Sequence, residues 1–201
     1  MSRVIPPKKL TPLGTWERAA WRLMAVLVLV VPATSHAEPP PPKEYQIKAA
    51  CLFHFVEFVE WPATAFPDDH APICIGILGE DPFGPALDAT LQGETIHNRQ
   101  IVVLRSKHLE DLTACHLVFV SRTEKARIPE IFARLSHGSV LTVSEIDGFA
   151  RQGGTINFYF EGRKVRFEIN PESALEHNLK LSSRLLSLGT VVTQTGAGNK
   201  E

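Results

Sequence analysis

The sequence predicts an α/β fold, a single Rossmann-like three-layer domain with a mainly parallel sheet and an antiparallel C-terminal hairpin. Three observations carry this. Short apolar runs recur at Ile73–Leu78, Gln100–Leu104, His116–Val120 and Val140–Val143, and runs of that length suit strands buried on both faces. Helical patterns lie between several of them, which is the alternation of a parallel sheet. Two further strands, Thr155–Phe160 and Lys164–Ile169, are separated only by Glu161-Gly162-Arg163, short enough for a hairpin.

The N-terminus reads as an address. Arg18 and Arg22 precede the apolar run Leu23–Val31, Pro32 breaks it, and Ser35-His36-Ala37 offers small residues for cleavage after Ala37. This is the layout of a secretory signal over residues 1–37, and the run is short for a membrane span. Residues 38–43, with four prolines, read as a stiff spacer. The domain is expected over 44–190 and a loose tail over 191–201. The first 37 residues hold five basic residues and one acid, which leaves 16 basic and 21 acidic residues beyond them. A net charge of about −5 there disfavours nonspecific nucleic-acid binding, which needs cations to displace counterions.

Taken in order, Tyr45–Trp61 is expected as a helix with residues 47, 51, 55, 58 and 59 on its inner face, stopped by Pro62. His54 is expected to be packed, with one hydrogen bond, and Glu57 and Glu60 solvated. A loop over 67–72 leads to the first strand. The turn Gly79–Gly84 follows, and Pro85-Ala86-Leu87 opens a helix. Gly93–Arg99 reads as a turn or short hairpin leading into the second strand. After the third strand, Ser121-Arg122-Thr123-Glu124 matches a capping box, and the helix runs to about Ser136 with Ile128, Ile131, Phe132 and Leu135 inward. Asp147–Gly154 is a glycine-rich loop before the hairpin. Asn170 or Pro171 opens a helical segment, and Leu179–Leu188 continues it with Leu181, Leu185 and Leu188 on one face.

Three cysteines permit one disulfide. Cys74 and Cys115 fall at the same end of the sheet if the first and third strands are neighbours, so a bridge between them is geometrically open, worth about 4 kcal/mol in the chain-entropy model. Three reduced, buried thiols are the rival reading. Cys51 is expected as a small buried residue. Catalytic motifs are sparse. Gly79-x4-Gly84 has phosphate-loop spacing, but Pro85 and Ala86 stand where Lys and Ser or Thr are needed. No Gly-x-Ser-x-Gly elbow occurs, and no histidine pair has the helix spacing of metal ligands. Asp147 reads better as a turn residue than as an acid or base. Gly153-Gly154 reads better as a tight turn than as an anion nest. The residues themselves predict no catalytic set, no cofactor and no metal.

Seven segments together resemble the YfiR family of periplasmic proteins: Lys48–Ala50 through Phe58–Pro62, Leu78–Gly84, Cys115–Ser121, Leu141–Ser144, Gly148–Ala150 with Gly153-Gly154, Val165–Asn170 and Leu179–Leu186. The resemblance covers residues 44–188. It implies a non-enzymatic regulator that binds the periplasmic domain of an inner-membrane diguanylate cyclase and holds it inactive. It also implies homodimers and relief of inhibition by an outer-membrane peptidoglycan-binding lipoprotein. Cys74 and Cys115 match the family's disulfide pair, whereas a second disulfide of some members has no counterpart here. Asn98-Arg99-Gln100 and Cys51 depart from the family pattern. Phe149, Arg151 and Arg166 are the candidate partner contacts, since loop aromatics and arginines are common anchors; a core Phe149 with both arginines merely solvated is the competing reading, and the favoured one. A ligand-sensing module coupled to a histidine kinase or another membrane receptor is the alternative. A hydrolase using Asp147 stands third.

Overall fold

The computed structural model describes residues 43–195. The expected signal peptide and its expected cleavage point, the expected spacer up to Pro42 and the end of the expected tail lie outside them.

In chain order the elements are α1 (Lys43–Glu57), β1 (Val59–Glu60), β2 (Ile73–Leu78), α2 (Pro85–Leu91), β3 (Thr95–Ile96), β4 (Arg99–Ser106), β5 (Leu117–Val120) and α3 (Ile128–Leu135). Then come β6 (Leu141–Ser144), β7 (Ile156–Glu161), β8 (Lys164–Ile169), α4 (Pro171–Glu176), β9 (Lys180–Leu181), α5 (Ser183–Leu188) and β10 (Thr190–Val191). Short 3-10 turns cover Ala63–Ala65, Leu109–Leu112, Arg122–Arg127 and Ala150–Gln152. Eight strands form one sheet in the order β10-β8-β7-β6-β5-β2-β4-β3. The block β4-β2-β5-β6-β7 is parallel. Pairing is antiparallel in the β7–β8 and β3–β4 hairpins. The α/β class with a mainly parallel sheet and a C-terminal hairpin is therefore the observed fold.

Alternation along β2 shows how the layers form. Ile73, Ile75 and Ile77 pack into one core with Leu52, Phe55 and Val56 of α1 and Leu87 and Leu91 of α2. Cys74 and Leu78 point to the other core, with Leu109 and Leu112 of a 3-10 turn and Ile128, Ile131 and Leu135 of α3. All six β2 residues are buried, as a central parallel strand requires. Among the described residues no helix is long and apolar enough to cross a membrane.

Cys74 and Cys115 are bridged, with Cα atoms 4.6 Å apart. Parallel pairing of β2 with β5 brings the two start points together. The His116 amide donates to the Cys74 carbonyl (2.9 Å), and the Cys74 amide donates to His116 Nδ1 (3.0 Å). The imidazole is thereby fixed as the neutral tautomer whose Nε2 donates to the Ala65 carbonyl (3.2 Å). Burial, helped by the Arg99 charge and opposed by that carbonyl, holds the His116 pKa below its ordinary range.

Several local expectations change. The first helix ends at Glu57, because Val59 and Glu60 pair with Leu181 and Lys180 in a second, two-stranded sheet. Its inner face carries Lys48, Ala49, Leu52, Phe55 and Val56. Ile47 is exposed and Cys51 only half-buried, so the apolar stripe has another phase than the spacing suggested. The helix is apolar on most sides, and periodicity alone does not select which side turns inward. Burial still pushes the Cys51 thiol up to about 11. His54 is exposed rather than packed, and meets Glu57 at 2.9 Å. Leu181 lies in a strand, Leu185 is buried and Leu188 exposed, so the three leucines share no face. Ser121 does cap its turn, accepting from the Thr123 amide. The reciprocal bond is missing, because the Ser121 amide donates to the Leu78 carbonyl and Glu124 turns to Arg127.

Candidate functional site

The residues expected to meet a partner separate by depth. Phe149 is fully buried and tilts against Phe132, centroids 5.2 Å apart. It is a core residue: a Cβ added at Gly154 would lie 2.2 Å from its ring, so the second glycine of the pair exists to let the ring close over the backbone. Its bulk holds the loop rather than offering a surface.

Arg151 and Arg166 come together on one surface. Arg166 lies on β8 opposite Tyr159, and Glu168, two residues on, opposite Asn157. Period-two alternation puts all four on the same face of the hairpin. Arg151 reaches that face from its 3-10 turn and donates from Nη2 to Glu168 Oε1 (2.7 Å). Arg166 donates from Nε to Glu161 Oε2 (3.0 Å). The Tyr159 hydroxyl meets Thr190 Oγ1 of β10 at 3.2 Å. The two arginine side chains remain about half exposed, 49% and 47%. Opposite-facing positions Phe158 and Phe167 pack toward α1, so this polar face is the one turned away from α1, exposed at the arginines and buried at Asn157.

The loop beneath Arg151 is fixed by buried side chains. Asn170 donates from Nδ2 to the Ala150 carbonyl (2.9 Å), while its Oδ1 caps α4 by accepting from the Glu172 and Ser173 amides. Ser173 Oγ donates to the Gly153 carbonyl (2.8 Å), and Asn157 Nδ2 donates to the Ile146 carbonyl (3.0 Å). The Thr195 amide donates to the Arg151 carbonyl. Such anchoring presents a guanidinium at low ordering cost, and a partner carboxylate can exchange for Glu168 or Glu161.

A second cluster escapes sequence reasoning. Lys48 is 1% exposed and pairs with Glu44 and Glu145. Its ammonium also lies 4.8 Å from the Tyr45 ring centroid. Arg122 Nε meets Glu145 Oε1 at 3.1 Å, and the Tyr45 hydroxyl donates to Glu145 (3.2 Å). Burial first, then the Glu145 and Glu44 charges, push the Tyr45 pKa up to about 12. The cluster ties the start of α1 to the end of β6. Its sequence signal is the spacing Tyr45, Lys48, Leu52, which seats a lysine within the buried helical stripe. Asp147 is exposed and belongs to no such cluster. Among the described residues no group of three or more His, Cys, Asp or Glu could hold a metal.

No curated protein matches the sequence. The crystal structure of a conserved domain protein from Vibrio cholerae O1 biovar El Tor superposes with a TM-score of 0.48 at 8% identity, covering 71% of this chain and 59% of that one. The chain thus spans less than two thirds of that protein. The profile of the YfiR/HmsC-like family matches residues 45–190, from the first turn of α1 to β10. The chain therefore belongs to the YfiR/HmsC-like family, a family of periplasmic regulators.

Proposed function

We propose that this chain is a non-enzymatic periplasmic regulator that binds the periplasmic domain of an inner-membrane diguanylate cyclase and lowers cyclic di-GMP signalling. Family membership over residues 45–190 is the observation that carries the reading. The anchored face with Arg151 and Arg166 supports it by offering two exposed guanidinium groups on a rigid scaffold. In this reading residues 1–37 direct export and are cut after Ala37, residues 44–190 make the binding domain, and the working form is a homodimer. An outer-membrane peptidoglycan-binding lipoprotein sequesters the regulator and relieves inhibition.

The physical requirement is differential affinity. A regulator shifts the cyclase between active and inactive states only by the difference in its binding to the two, and a tenfold shift needs about 1.4 kcal/mol. The test is affinity capture of the tagged protein from solubilised membranes, with mass-spectrometric identification and a cyclic di-GMP assay. Recovery of a membrane diguanylate cyclase, with cyclic di-GMP rising when the regulator is deleted, is expected. Recovery of a histidine kinase or other receptor with unchanged cyclic di-GMP would replace this reading with the ligand-sensing one.

A further inference from the structure

A cavity of about 260 Å³ opens between the end of α1, the loop after β1 and the β3–β4 hairpin. It is far from the arginine face in sequence and uses none of its residues. The floor is apolar, made by Val59, Ile73 and Ile96, all buried. Trp61 and Phe66 supply aromatic walls and Arg99 a guanidinium, and the exposed Glu60 and His97 also line it. The volume lies just under the range of about 300–1,000 Å³ usual for small-molecule sites, so it suits a compact ligand.

Two unfilled donors define the ligand's chemistry. Trp61 Nε1 is the one buried side-chain nitrogen or oxygen without a hydrogen-bond partner among the described residues. An indole N–H can only donate, and buried polar groups are nearly always paired. Arg99 is the second. Its Nη1 donates to the Asp68 and Ala71 carbonyls, each at 2.8 Å. Its guanidinium carbon lies 4.0 Å from the Phe66 ring centroid, and Phe66 is stacked on His116 at 4.4 Å. Carbonyls and ring hold the guanidinium in place without neutralising it, for no carboxylate among the described residues pairs with it. Nε and Nη2 have no protein acceptor among the described residues. The β3–β4 turn fixes Arg99 from the other side, since His97 and Asn98 have φ of 50° and 64°, the backbone of a two-residue hairpin turn.

We propose that this cavity binds a small monocarboxylic acid with an apolar body, its carboxylate on Arg99 and Trp61 Nε1 and its body on the Val59-Ile73-Ile96 floor. A cation is disfavoured beside the guanidinium, while the exposed Glu60 carboxylate in the same lining opposes a second negative charge and so favours a monoanion. A phosphate, which suits sites rich in converging N–H groups, gains nothing from an apolar floor. The inference stands apart from the cyclase reading and neither requires it nor tests it.

Trp61 is also the reporter. The other tryptophans are Trp16 and Trp21, so the full chain carrying Trp16→Phe and Trp21→Phe has one indole. The experiment titrates that protein with phenylacetate and with hexanoate, reading Trp61 emission and the indole N–H resonance, with 2-phenylethanol as the uncharged counterpart. Saturable shifts of both signals are expected, with the alcohol binding at least tenfold more weakly. Calorimetry on variants completes it: Arg99→Gln is expected to weaken phenylacetate at least tenfold, Arg99→Lys less, and Trp61→Phe about threefold to tenfold. The absence of a saturable shift with either acid up to 10 mM (roughly the weakest binding a specific fragment site shows) would overturn the proposal. So would equal binding of acid and alcohol, or an indole resonance that stays put while heat is released. If Arg99→Gln fails to fold by circular dichroism, the acid–alcohol comparison on the unaltered pocket and the Trp61→Phe variant still decide the matter.

Discussion

At the scale of single residues, the least expected finding is a lysine in the core. Lys48 is tolerated there because Glu44 and Glu145 flank its ammonium and aromatic rings line the approach. Removing one member of a buried ion pair leaves a charge that cannot be solvated, at a cost of about 3–5 kcal/mol. Lys48→Met is therefore expected to lower unfolding free energy by about that amount in urea titrations, and Lys48→Met with Glu145→Leu is expected to recover much of it. His116 sets a pH dependence. Its folded pKa lies below the ordinary 6.5, so the unfolded chain takes up the proton first, and stability falls as pH drops from about 6.5 through the folded value. Denaturant midpoints measured between pH 7.5 and 5 are expected to decline, and His116→Gln is expected to flatten the slope. The sign follows from burial: protonation also breaks the Cys74 N–H bond to Nδ1.

At the scale of elements, the loop before β7 and the hairpin after it act as one unit. Gly154→Ala would place a methyl group inside the Phe149 ring, and Phe149→Ala would empty a fully buried site at about 3–5 kcal/mol. The two changes share one space, so the double variant is expected to cost less than the sum of the singles, which a double-mutant cycle would reveal. The arginines behave oppositely. Exposed ion pairs contribute about 0–1 kcal/mol, so Arg151→Glu with Arg166→Glu is expected to shift unfolding by under about 1 kcal/mol per residue while weakening capture of the membrane partner at least tenfold. Unchanged capture by this stable variant would move the partner surface elsewhere.

At the scale of the whole molecule, the Cys74–Cys115 bridge closes a separation of 41 residues that contains α2 and the β3–β4 hairpin, which supplies Ile96, His97 and Arg99 to the cavity. Chain-entropy arguments give about 4 kcal/mol for such a loop. Cys74→Ser with Cys115→Ser is expected to lower the melting temperature and the unfolding free energy by about that order, read by calorimetry and by urea titration. Partner capture with and without reductant then tells whether the bridge stabilises the domain only or also switches it; equal capture limits it to stability. The Cys51 thiol, pushed up to about 11 by burial, stays protonated at neutral pH and is a poor competitor for exchange with either sulfur.

Much of the architecture was legible in the sequence because strand and turn chemistry are local. The runs at 73–78, 116–120 and 140–143, the Glu161-Gly162-Arg163 turn and the Ser121 cap each depend on a few adjacent residues, and the motif order pointed to the family. What sequence could not decide was every choice made by distant neighbours. Which face of α1 turns inward was set by Glu145, a hundred residues away from Tyr45. Whether 180–181 became strand or helix was set by pairing with Val59 and Glu60. Whether Phe149 faced a partner or the core was set by the space left at Gly154. The donors at Trp61 and Arg99 became a cavity only once the β3–β4 hairpin was laid beside the end of α1. Periodicity reports that a segment has an apolar side; only the packed sheet supplies the surface that selects among its sides, since burial energy depends on the area removed from water and not on the residue alone.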